Sequence, residues 1–465
     1  MSGSQTRRAR SAWFWLILTL AGCHAVGDPP EPVHLDGAVQ ERTGYSLCSA
    51  ACGSEVFLPP GVSLDDGLTE DEAIRVALCN NALFQELLVD LQLANADLIQ
   101  AGLLPNPEAV YFFPVSEKPY KYLVDFPLEA LWLRPIRVGA AKAELGRQGD
   151  RLTQTALDLI RDVRVAYADA LLTQSRQAIG NEAIQLRGRI ASIAEARLQA
   201  GDLSQLEVAT ARIDALQATQ DMARLINDAE VARERLRWVM GIGQLRTPLQ
   251  LVAPADGPAP GLDVERLVAE AVATRPDVYA AGQAVAAAEE RLRLARLGWV
   301  RVLGIADATS GTQTGHALSP AFRITLPIFN WNQGLIARGE GELERAVRQQ
   351  QTLRNQIILD VRQAHIRYEQ TWAELSLLRT RVRPEVDAAL QRSQLAYQEG
   401  NTTYLIVLEA TRQLLDSFVR EAQLVTDLER AAAELERSTG RRLPRPELIP
   451  PPPTPQALQE AAPAS

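Results

Sequence analysis

An internal duplication constrains the fold of this chain more than any other feature of its sequence. Residues 68–241 align with residues 262–440, and the offset between matching residues drifts only between about 194 and 200. Asp162-Val163-Arg164, for example, matches Asp360-Val361-Arg362. A duplication of this length predicts two structural repeats that share one internal plan.

Each repeat contains the same predicted elements in the same order. An amphipathic helix is predicted at about 70–103 and again at about 263–298. A strand–turn–strand follows at about 108–133 and at about 300–331, and a long helical stretch comes last. The repeats are predicted to span 65–247 and 262–440. The segment 248–261 between them is rich in Pro, Gly and Ala and is predicted to be a linker.

The long helical stretches have coiled-coil periodicity. No proline occurs between Pro135 and Pro248, and apolar or small residues recur there at alternating spacings of four and three. This spacing is typical of helices that pack nearly antiparallel along a seam. In the second repeat Pro384 interrupts the pattern, and a kink or local break is expected there.

Two pairs of glycines predict the geometry of these helices. Gly201 and Gly241 are 40 residues apart, and Gly400 and Gly440 have the same spacing. A helical arm of that length measures about 60 Å. Each repeat is therefore predicted to form a long helical hairpin with its tip at the first glycine, because glycine suits a tight turn after a helix. Such rods indicate a tube, a stalk or a bundle that crosses a gap.

The predicted strands resemble those of outer-membrane proteins. Apolar residues alternate onto one face of the second strand: Tyr120, Tyr122, Val124 and Phe126. Tryptophans lie near the predicted strand ends: Trp132, Trp299 and Trp331. Strands of about 9–11 residues with these features suit a membrane β-barrel, which needs at least about eight strands. Four strands per chain would then require several chains. Two soluble hairpins packed on helices are the alternative.

The N-terminal residues have the features of a targeting segment. Arg7, Arg8 and Arg10 precede the apolar run 12–20, which is shorter than the roughly 20 residues that span a bilayer. The run ends in Leu20-Ala21-Gly22-Cys23, which resembles a bacterial lipobox. We therefore predict a signal peptide at 1–22 and lipidation at Cys23, which anchors a chain to one leaflet without spanning it. An ordinary signal peptide with a nearby cysteine is the alternative.

The other cysteines permit several interpretations. Cys48 and Cys52 could form a short disulfide in an oxidising periplasm. Cys79 lies within a helical pattern and is interpreted as a small core residue.

Two flanking segments carry few structural signals. Residues 23–64 are predicted to be an N-terminal linker that is extended over 24–60. Residues 441–465 form a tail rich in Pro and Ala, which predicts disorder.

Composition and motifs argue against several functions. The formal net charge is −9, whereas a nucleic-acid binder usually carries a basic excess. The sequence has no glycine-rich phosphate loop, no His-Glu-x-x-His motif and no nucleophile elbow. Its four histidines form no spaced cluster with the cysteines. Neither catalysis, nor a cofactor, nor a bound metal ion is predicted.

Four motifs follow one another along the chain: Asn95 to Pro107, Ala196 to Ser204, Leu326 to Trp331, and Ala396 to Thr403. In these motifs the chain resembles a known family, the TolC-type outer-membrane efflux proteins, and in particular their lipidated members. The order, spacing and duplication of the motifs are more specific to the family than any single motif. The resemblance covers about 65–440.

The resemblance implies a fold and an assembly. The chain would be mainly α with a membrane β part, and three copies would form a 12-stranded barrel and a 12-helix tunnel. Its implied partners are a periplasmic adaptor, an inner-membrane pump and outer-membrane lipid. Its implied function is the outer-membrane channel of a tripartite efflux system, a passive exit duct.

The resemblance also implies roles for particular residues. The two tips would dock the adaptor through eight residues: Gly201, Asp202, Leu203, Ser204, Gly400, Asn401, Thr402 and Thr403. Tyr397 and Glu409 match residues that form the tunnel constriction in relatives, and Ile406 stands where another member carries an aspartate. Coiled-coil packing of Tyr397 and a solvated position for Glu409 are the alternatives.

Two other protein classes are alternatives to an efflux channel. A periplasmic adaptor lipoprotein is also rich in helical hairpins, but it would have one hairpin between β-rich domains. A structural coiled-coil lipoprotein without a pore would not need membrane-type strands at equivalent places of both repeats.

Overall fold

The structure is a computed structural model that describes residues 33–47, 56–64, 67–113, 120–253, 261–311, 315–399 and 401–443. The described chain packs as two units. The first holds Asp90–Gly146 and Gln283–Glu344, and the second holds the described parts of Leu35–Val89, Arg147–Gly282 and Arg345–Ser465. Several predicted features lie outside the described residues: Cys23, Cys48, Cys52, Gly400 and the tail beyond 443.

Helices dominate the described residues. Those before the middle of the chain are α1 (Val33–Thr43), α2 (Glu70–Asn80), α3 (Ala82–Gly102), α4 (Glu129–Ala200) and α5 (Gln205–Met240). Those after it are α6 (Val264–Thr274), α7 (Pro276–Leu297), α8 (Gln333–Leu377), a π turn (Leu378–Val382), α9 (Arg383–Gln398) and α10 (Tyr404–Thr439). None of these helices combines the length and the apolar character needed to cross a bilayer.

The first unit contains a four-stranded antiparallel sheet. Its strands are β1 (Glu108–Phe112), β2 (Tyr120–Pro127), β3 (Val302–Gly311) and β4 (Gly315–Ile324), in the spatial order β1-β2-β3-β4. The prediction of four strands is confirmed. The first strand pair was predicted to reach residue 133, which is wrong, because α4 begins at Glu129 and Trp132 lies in its first turn.

Each repeat begins with two helices, where one amphipathic helix was predicted. Asn81 separates α2 from α3, and its side-chain oxygen accepts a hydrogen bond from Phe84 N at 3.0 Å, as a helix N-cap does. Arg275 separates α6 from α7 and precedes Pro276, which disfavours helical geometry at the residue before it. Both separating residues are extended.

The seams of the long helices form the core of the second unit. Ala156, Val163 and Tyr167 are at most 1% exposed, and so are Ile357 and Val361 of the second repeat. The predicted coiled-coil spacing is therefore confirmed. Tyr167 also donates a hydrogen bond to Leu68 O at 2.7 Å, where a parallel bridge joins Leu68 to Leu251.

The expected break near Pro384 is a π turn. Leu378–Val382 widens the helix by one residue just before the proline, which has no N–H to donate to the preceding turn. The widening agrees with the duplication, because the offset between repeats is 198 at Asp162 and Asp360 but 199 at the tips.

Two expectations for the N-terminal part are wrong. Residues 33–43 form α1 instead of extended chain. Cys79 is disulfide-bonded and is not a free core thiol. The neighbouring Asn80 side chain accepts a hydrogen bond from Phe57 N and donates one to Phe57 O, both at 2.7 Å. These bonds hold the N-terminal segment against the end of α2, close to Cys79.

The glycines that end α5 and α10 offer a matched test of the fold. Gly241 and Gly440 are both left-handed, with φ of +74° and +78°. A Cβ on Gly241 would lie 2.2 Å from the backbone oxygen of Asn80, whereas on Gly440 its nearest neighbour would be the Cγ of Arg275, at 3.0 Å.

We predict that Gly440→Ala costs about 1–2 kcal/mol from backbone strain alone. Gly241→Ala adds a backbone clash and should cost on the order of 3 kcal/mol or more. Thermal unfolding followed by circular dichroism measures both. Equal losses in the two variants would show that the packing of Gly241 on Asn80 does not matter.

Candidate functional site

The first hairpin tip is a turn fixed by its own backbone. Gly201 has φ of +83°, its N–H donates to Leu198 O at 3.0 Å, and Asp202 N donates to Arg197 O at 2.9 Å. These two bonds are those of a Schellman motif, which ends a helix on a left-handed glycine. Gly201, Asp202 and Ser204 are exposed, and Leu203 is half-buried.

Ser204 starts α5 with a capping box. Its hydroxyl accepts a hydrogen bond from Glu207 N at 3.3 Å, and its own N–H donates to the Glu207 carboxylate at 2.9 Å. Two hydrogen bonds from Ser204 stabilise the charged carboxylate of Glu207 and so lower its pKa. The bond from the backbone N–H has the larger effect and the bond from the hydroxyl the smaller one. The capping box and the Schellman motif together define the backbone on both sides of the tip.

The second tip is built similarly but is less fully capped. Asn401 N donates to Ala396 O at 2.8 Å, five residues back along the chain, as Asp202 N does to Arg197 O in the first tip. Thr403 is the N-cap of α10 without a side-chain hydrogen bond. Ile406 stands where the capping box of the first tip has Glu207, so the reciprocal bond has no acceptor. Asn401 and Thr403 are exposed, and Thr402 is half-buried.

Tyr397 connects the two hairpins. The Arg197 guanidinium lies over its ring, 4.1 Å from the centroid, so the end of α4 meets the end of α9 through a cation–π contact. The ring also packs against a small apolar cluster that includes Ala194, Val208 and Leu408. This placement agrees with the packing interpretation of Tyr397 and also gives it a position where the two tips meet.

Glu409 lies on an exposed face of α10. Its carboxylate accepts a long hydrogen bond from Gln413, at 3.4 Å, one turn further along the helix. A carboxylate in this position remains available to water or to a passing cation. The described residues contain no group of three or more His, Cys, Asp or Glu side chains arranged to hold a metal ion.

An ion pair close to the tips was not predicted from the sequence. Arg412 of α10 donates to Asp214 of α5 at 2.7 Å, and the Asp214 side chain is only 6% exposed. The signal was available, because Asp214 occupies a seam position between the buried Ala211 and Ala218. An acidic residue in an apolar seam needs a partner, since an unpaired buried charge is costly.

The sheet of the first unit has one apolar face and one face that mixes charged and apolar side chains. The strand register places the following residues on the apolar face: Tyr111, Tyr122, Val124, Phe126, Ala306, Ala308, Leu318, Phe322 and Ile324. Large side chains on this face are exposed, with Phe322 at 72% and Tyr122 at 50%. The opposite face holds the ionised Lys121, Asp125 and Asp307, and Lys121 forms an ion pair with Asp307 at 2.8 Å. It also carries apolar side chains, among them Val110, Phe112, Leu123 and Ile305.

Aromatic residues also lie where the strands meet the helices. Trp299 and Trp331 were predicted near strand ends, and their rings are in contact with centroids 5.9 Å apart. Next to them Phe329 is 92% exposed and Leu326 is 71% exposed. The exposed apolar surface therefore extends beyond the sheet itself.

The Arg412–Asp214 pair leads to a prediction about stability. Arg412→Gln leaves a buried carboxylate without its cation and should cost about 1–3 kcal/mol. Adding Asp214→Asn removes the orphaned charge and should recover most of the loss in thermal unfolding. Arg212→Gln breaks the exposed Arg212–Glu195 pair of the same hairpin and should cost less than about 1 kcal/mol. A similar loss in Arg412→Gln and Arg212→Gln would contradict this assignment.

Known proteins resemble this chain in sequence and in fold. The sequence model of the outer membrane efflux protein family matches residues 134–242. The cobalt-zinc-cadmium resistance protein CzcC of Cupriavidus metallidurans is 24% identical over 383 residues, which cover 80% of this chain and 90% of CzcC. The pyoverdine export outer membrane protein OpmQ of Pseudomonas putida is 25% identical over 69% of this chain and 68% of its own length.

A solved structure has the same architecture. The outer membrane protein VceC of Vibrio cholerae superimposes with a TM-score of 0.67 at 18% identity, covering 81% of this chain and 97% of VceC. The resemblance inferred from the motifs is thereby confirmed, and the chain is similar in sequence and in fold to outer membrane efflux proteins.

Proposed function

We propose that this chain is the outer-membrane channel of a tripartite efflux system. Three copies form a 12-stranded barrel and a 12-helix tunnel, and a lipid on Cys23 anchors each copy to the membrane. The channel is a passive exit duct. An inner-membrane pump supplies the energy and selects the substrate, which reaches the duct through a periplasmic adaptor.

The two-faced sheet is the observation that carries this proposal. Tyr122, Phe126 and Phe322 expose large apolar surface on one face, and the ionised side chains lie on the other. A sheet face that contacts lipid has to be apolar, whereas a face that lines a water-filled lumen can carry ionised side chains. A soluble sheet would instead bury its apolar face against other elements.

The open edges of the sheet support assembly from several copies. Its edge strands, β1 and β4, each have only one neighbour within the described chain. A bilayer contains no water to satisfy unpaired backbone groups, so a spanning sheet has to close. In the proposed trimer β4 of one copy pairs with β1 of the next.

The tips are proposed to dock the adaptor. Gly201, Asp202, Asn401 and Thr403 are exposed at the ends of the hairpins, where capping bonds hold the backbone in one conformation. Leu203, Ser204, Gly400 and Thr402 complete the proposed surface. A preformed surface of this kind loses little conformational entropy on binding.

The contacts between hairpins near the tips are proposed to hold the tunnel closed. Arg197 on Tyr397 and Arg412 on Asp214 both join the first hairpin to the second. Opening would separate the hairpins and exchange these contacts for others, as in transitions between two packed states. Glu409 would contribute a carboxylate to the constriction.

Conductance across a planar bilayer tests the channel itself. The purified full chain should produce discrete conductance steps. The double variant Asp125→Asn with Asp307→Asn should lower the cation-to-anion permeability ratio about two-fold or more, and Lys121→Gln should raise it, because both sites face the proposed lumen. The absence of any conductance would favour the alternative, an adaptor or structural coiled-coil lipoprotein without a pore.

Efflux in cells tests the docking surface. Thr403→Lys adds a bulky charge at an exposed tip residue that makes no side-chain capping bond. It should reduce complementation of a channel-deficient strain at least ten-fold without changing the melting temperature or the conductance. Thr219→Lys, an exposed position within α5, is the matched control and should complement normally. Full complementation by Thr403→Lys would place the docking surface elsewhere.

A further inference from the structure

Two arginines lie on one face of the sheet, at the end where β3 and β4 meet the helices α7 and α8. Arg323 belongs to β4 and lies on the same face as Lys121 and Asp307. Arg301 directly precedes β3, and its backbone oxygen accepts a hydrogen bond from Thr325 N at 3.2 Å, which extends the pairing of the two strands by one step. Because side chains alternate between the faces of a strand, Arg301 lies on this same face.

Arg301 and Arg323 are close together and have no counter-charge. Arg323 is the diagonal neighbour of Arg301, and such neighbours lie about 7–8 Å apart across an antiparallel pair. Both side chains are exposed, and within the described part of the chain neither has an ion pair or a side-chain hydrogen bond. Two cations at this spacing repel each other, and an anion held between them would offset the repulsion.

The acidic side chains on this face do not supply that anion. Asp307 already forms an ion pair of its own. Asp125 lies two strands away from Arg323, and a strand spacing of about 4.8 Å separates the two residues by roughly 10 Å or more. Glu108 lies on β1, one strand further away. Within one chain, both arginines therefore keep uncompensated charges.

A groove between α7 and α8 adjoins Arg301. Its volume is about 440 Å³, and Arg301 lines it together with Arg291 of α7 and Arg338 of α8. Glu144 pairs with Arg291 at 3.2 Å and Glu342 pairs with Arg338 at 2.8 Å, so these two cations are held in place and already compensated. Because Arg301 contributes both to the groove and to the sheet face, the groove continues that face toward the helices.

The groove also offers apolar contacts. Leu294 and Leu335 line it, and it is open on one side. A groove of this size, with apolar walls and a few charged groups, is typical of sites for small organic molecules. The groove therefore suits the carbon skeleton of a molecule whose anionic group lies between Arg301 and Arg323.

We propose that Arg301 and Arg323 bind an oxyanion, a carboxylate or phosphate group carried by a solute that passes through the duct. Two guanidinium groups can both donate to one such group, because each presents a planar set of N–H donors. The inference rests on the proposed channel, which assigns this face of the sheet to the lumen. It adds that the cargo carries an anionic group and that the channel binds it where the sheet meets the helices.

Block of conductance by pyrophosphate tests the site in the purified full chain. Pyrophosphate should lower the single-channel conductance in a saturable way. Arg301→Gln combined with Arg323→Gln should raise the half-blocking concentration at least ten-fold, because charge-assisted hydrogen bonds are lost. It should also raise the cation-to-anion permeability ratio about two-fold or more. Its melting temperature should not fall, since neither side chain has a partner in the described chain. Unchanged block in this variant would overturn the proposal.

A matched pair of arginines controls for the loss of positive charge. Arg293 and Arg296 of α7 are 64% and 56% exposed and do not line the groove. Arg293 follows Arg291 by two residues, which places it about 200° around the helix, on the opposite side. Arg293→Gln combined with Arg296→Gln should leave the half-blocking concentration unchanged. An equal rise in this variant would show that no particular arginines bind the anion, and it would contradict the site.

A conservative variant separates a bound anion from a general electrostatic effect. Arg301→Lys combined with Arg323→Lys keeps both charges but loses the planar donor sets. It should keep the permeability ratio of the wild type and still raise the half-blocking concentration about three-fold or more. Equal block of the lysine variant and the wild type would be evidence against direct binding by the two guanidinium groups.

Equilibrium dialysis with radiolabelled pyrophosphate gives a readout that needs no open pore. The detergent-solubilised full chain should bind pyrophosphate, and the double glutamine variant should bind it at least ten-fold more weakly. Binding without any conductance would overturn the proposed channel and leave the anion site standing. Conductance without binding at Arg301 and Arg323 would overturn the site and leave the channel standing.

A lipid phosphate is the other source of the same chemistry. Bilayers of phosphatidylcholine with and without phosphatidylglycerol distinguish the two sources. A solute site in the duct predicts the same block by pyrophosphate in both bilayers. If phosphatidylglycerol abolishes the block, and co-purifies with the wild type but not with the double glutamine variant, the arginines hold lipid and the assignment to a solute is wrong.

Discussion

The structure depends on the contact that its two repeats make with each other along α4 and α10. A buried seam and ion pairs such as Asp158 with Arg437 hold this contact together. The other two long helices, α5 and α8, expose apolar residues such as Trp238 and Leu359. The sheet repeats this situation, because its edge strands, β1 and β4, have one neighbour each. Both parts of the molecule are therefore incomplete in the same sense, and burial of apolar surface favours their completion by further copies.

Much of this fold could be predicted because its determinants are periodic. Seam residues such as Val163 and Val361 recur at helical spacing, and Gly201 marks a tip by its backbone freedom. Features that depend on one local bond were harder to predict. The break at Arg275 follows from Pro276 and could have been found, whereas the break at Asn81 needed knowledge of its capping bond to Phe84. The disulfide of Cys79 is likewise encoded by no periodic pattern.

The candidate site also combines features that could be predicted from the sequence with features that could not. Its tips are defined by backbone capping at Gly201 and Ser204, and short motifs report such capping directly in the sequence. The contacts between hairpins are long-range and carry no local signature. Arg412 and Asp214 are 198 residues apart, and only the position of an acid in an apolar seam hints that it needs a cation. Tip geometry could therefore be predicted, while the bonds that join the tips required the structure.

Equivalent helix faces of the two repeats differ in chemistry. The contact between α4 and α10 joins segments of one polypeptide, so its partners are always close, and charged pairs can add specificity there at little entropic cost. An interface between separate copies also loses translational and rotational freedom on association. Apolar side chains such as Val231 and Ile366 suit that task, because their burial is insensitive to salt screening and needs no exact charge geometry. Divergence of the repeats from ionic to apolar contacts would therefore let one duplicated hairpin serve both as an internal joint and as an assembly surface.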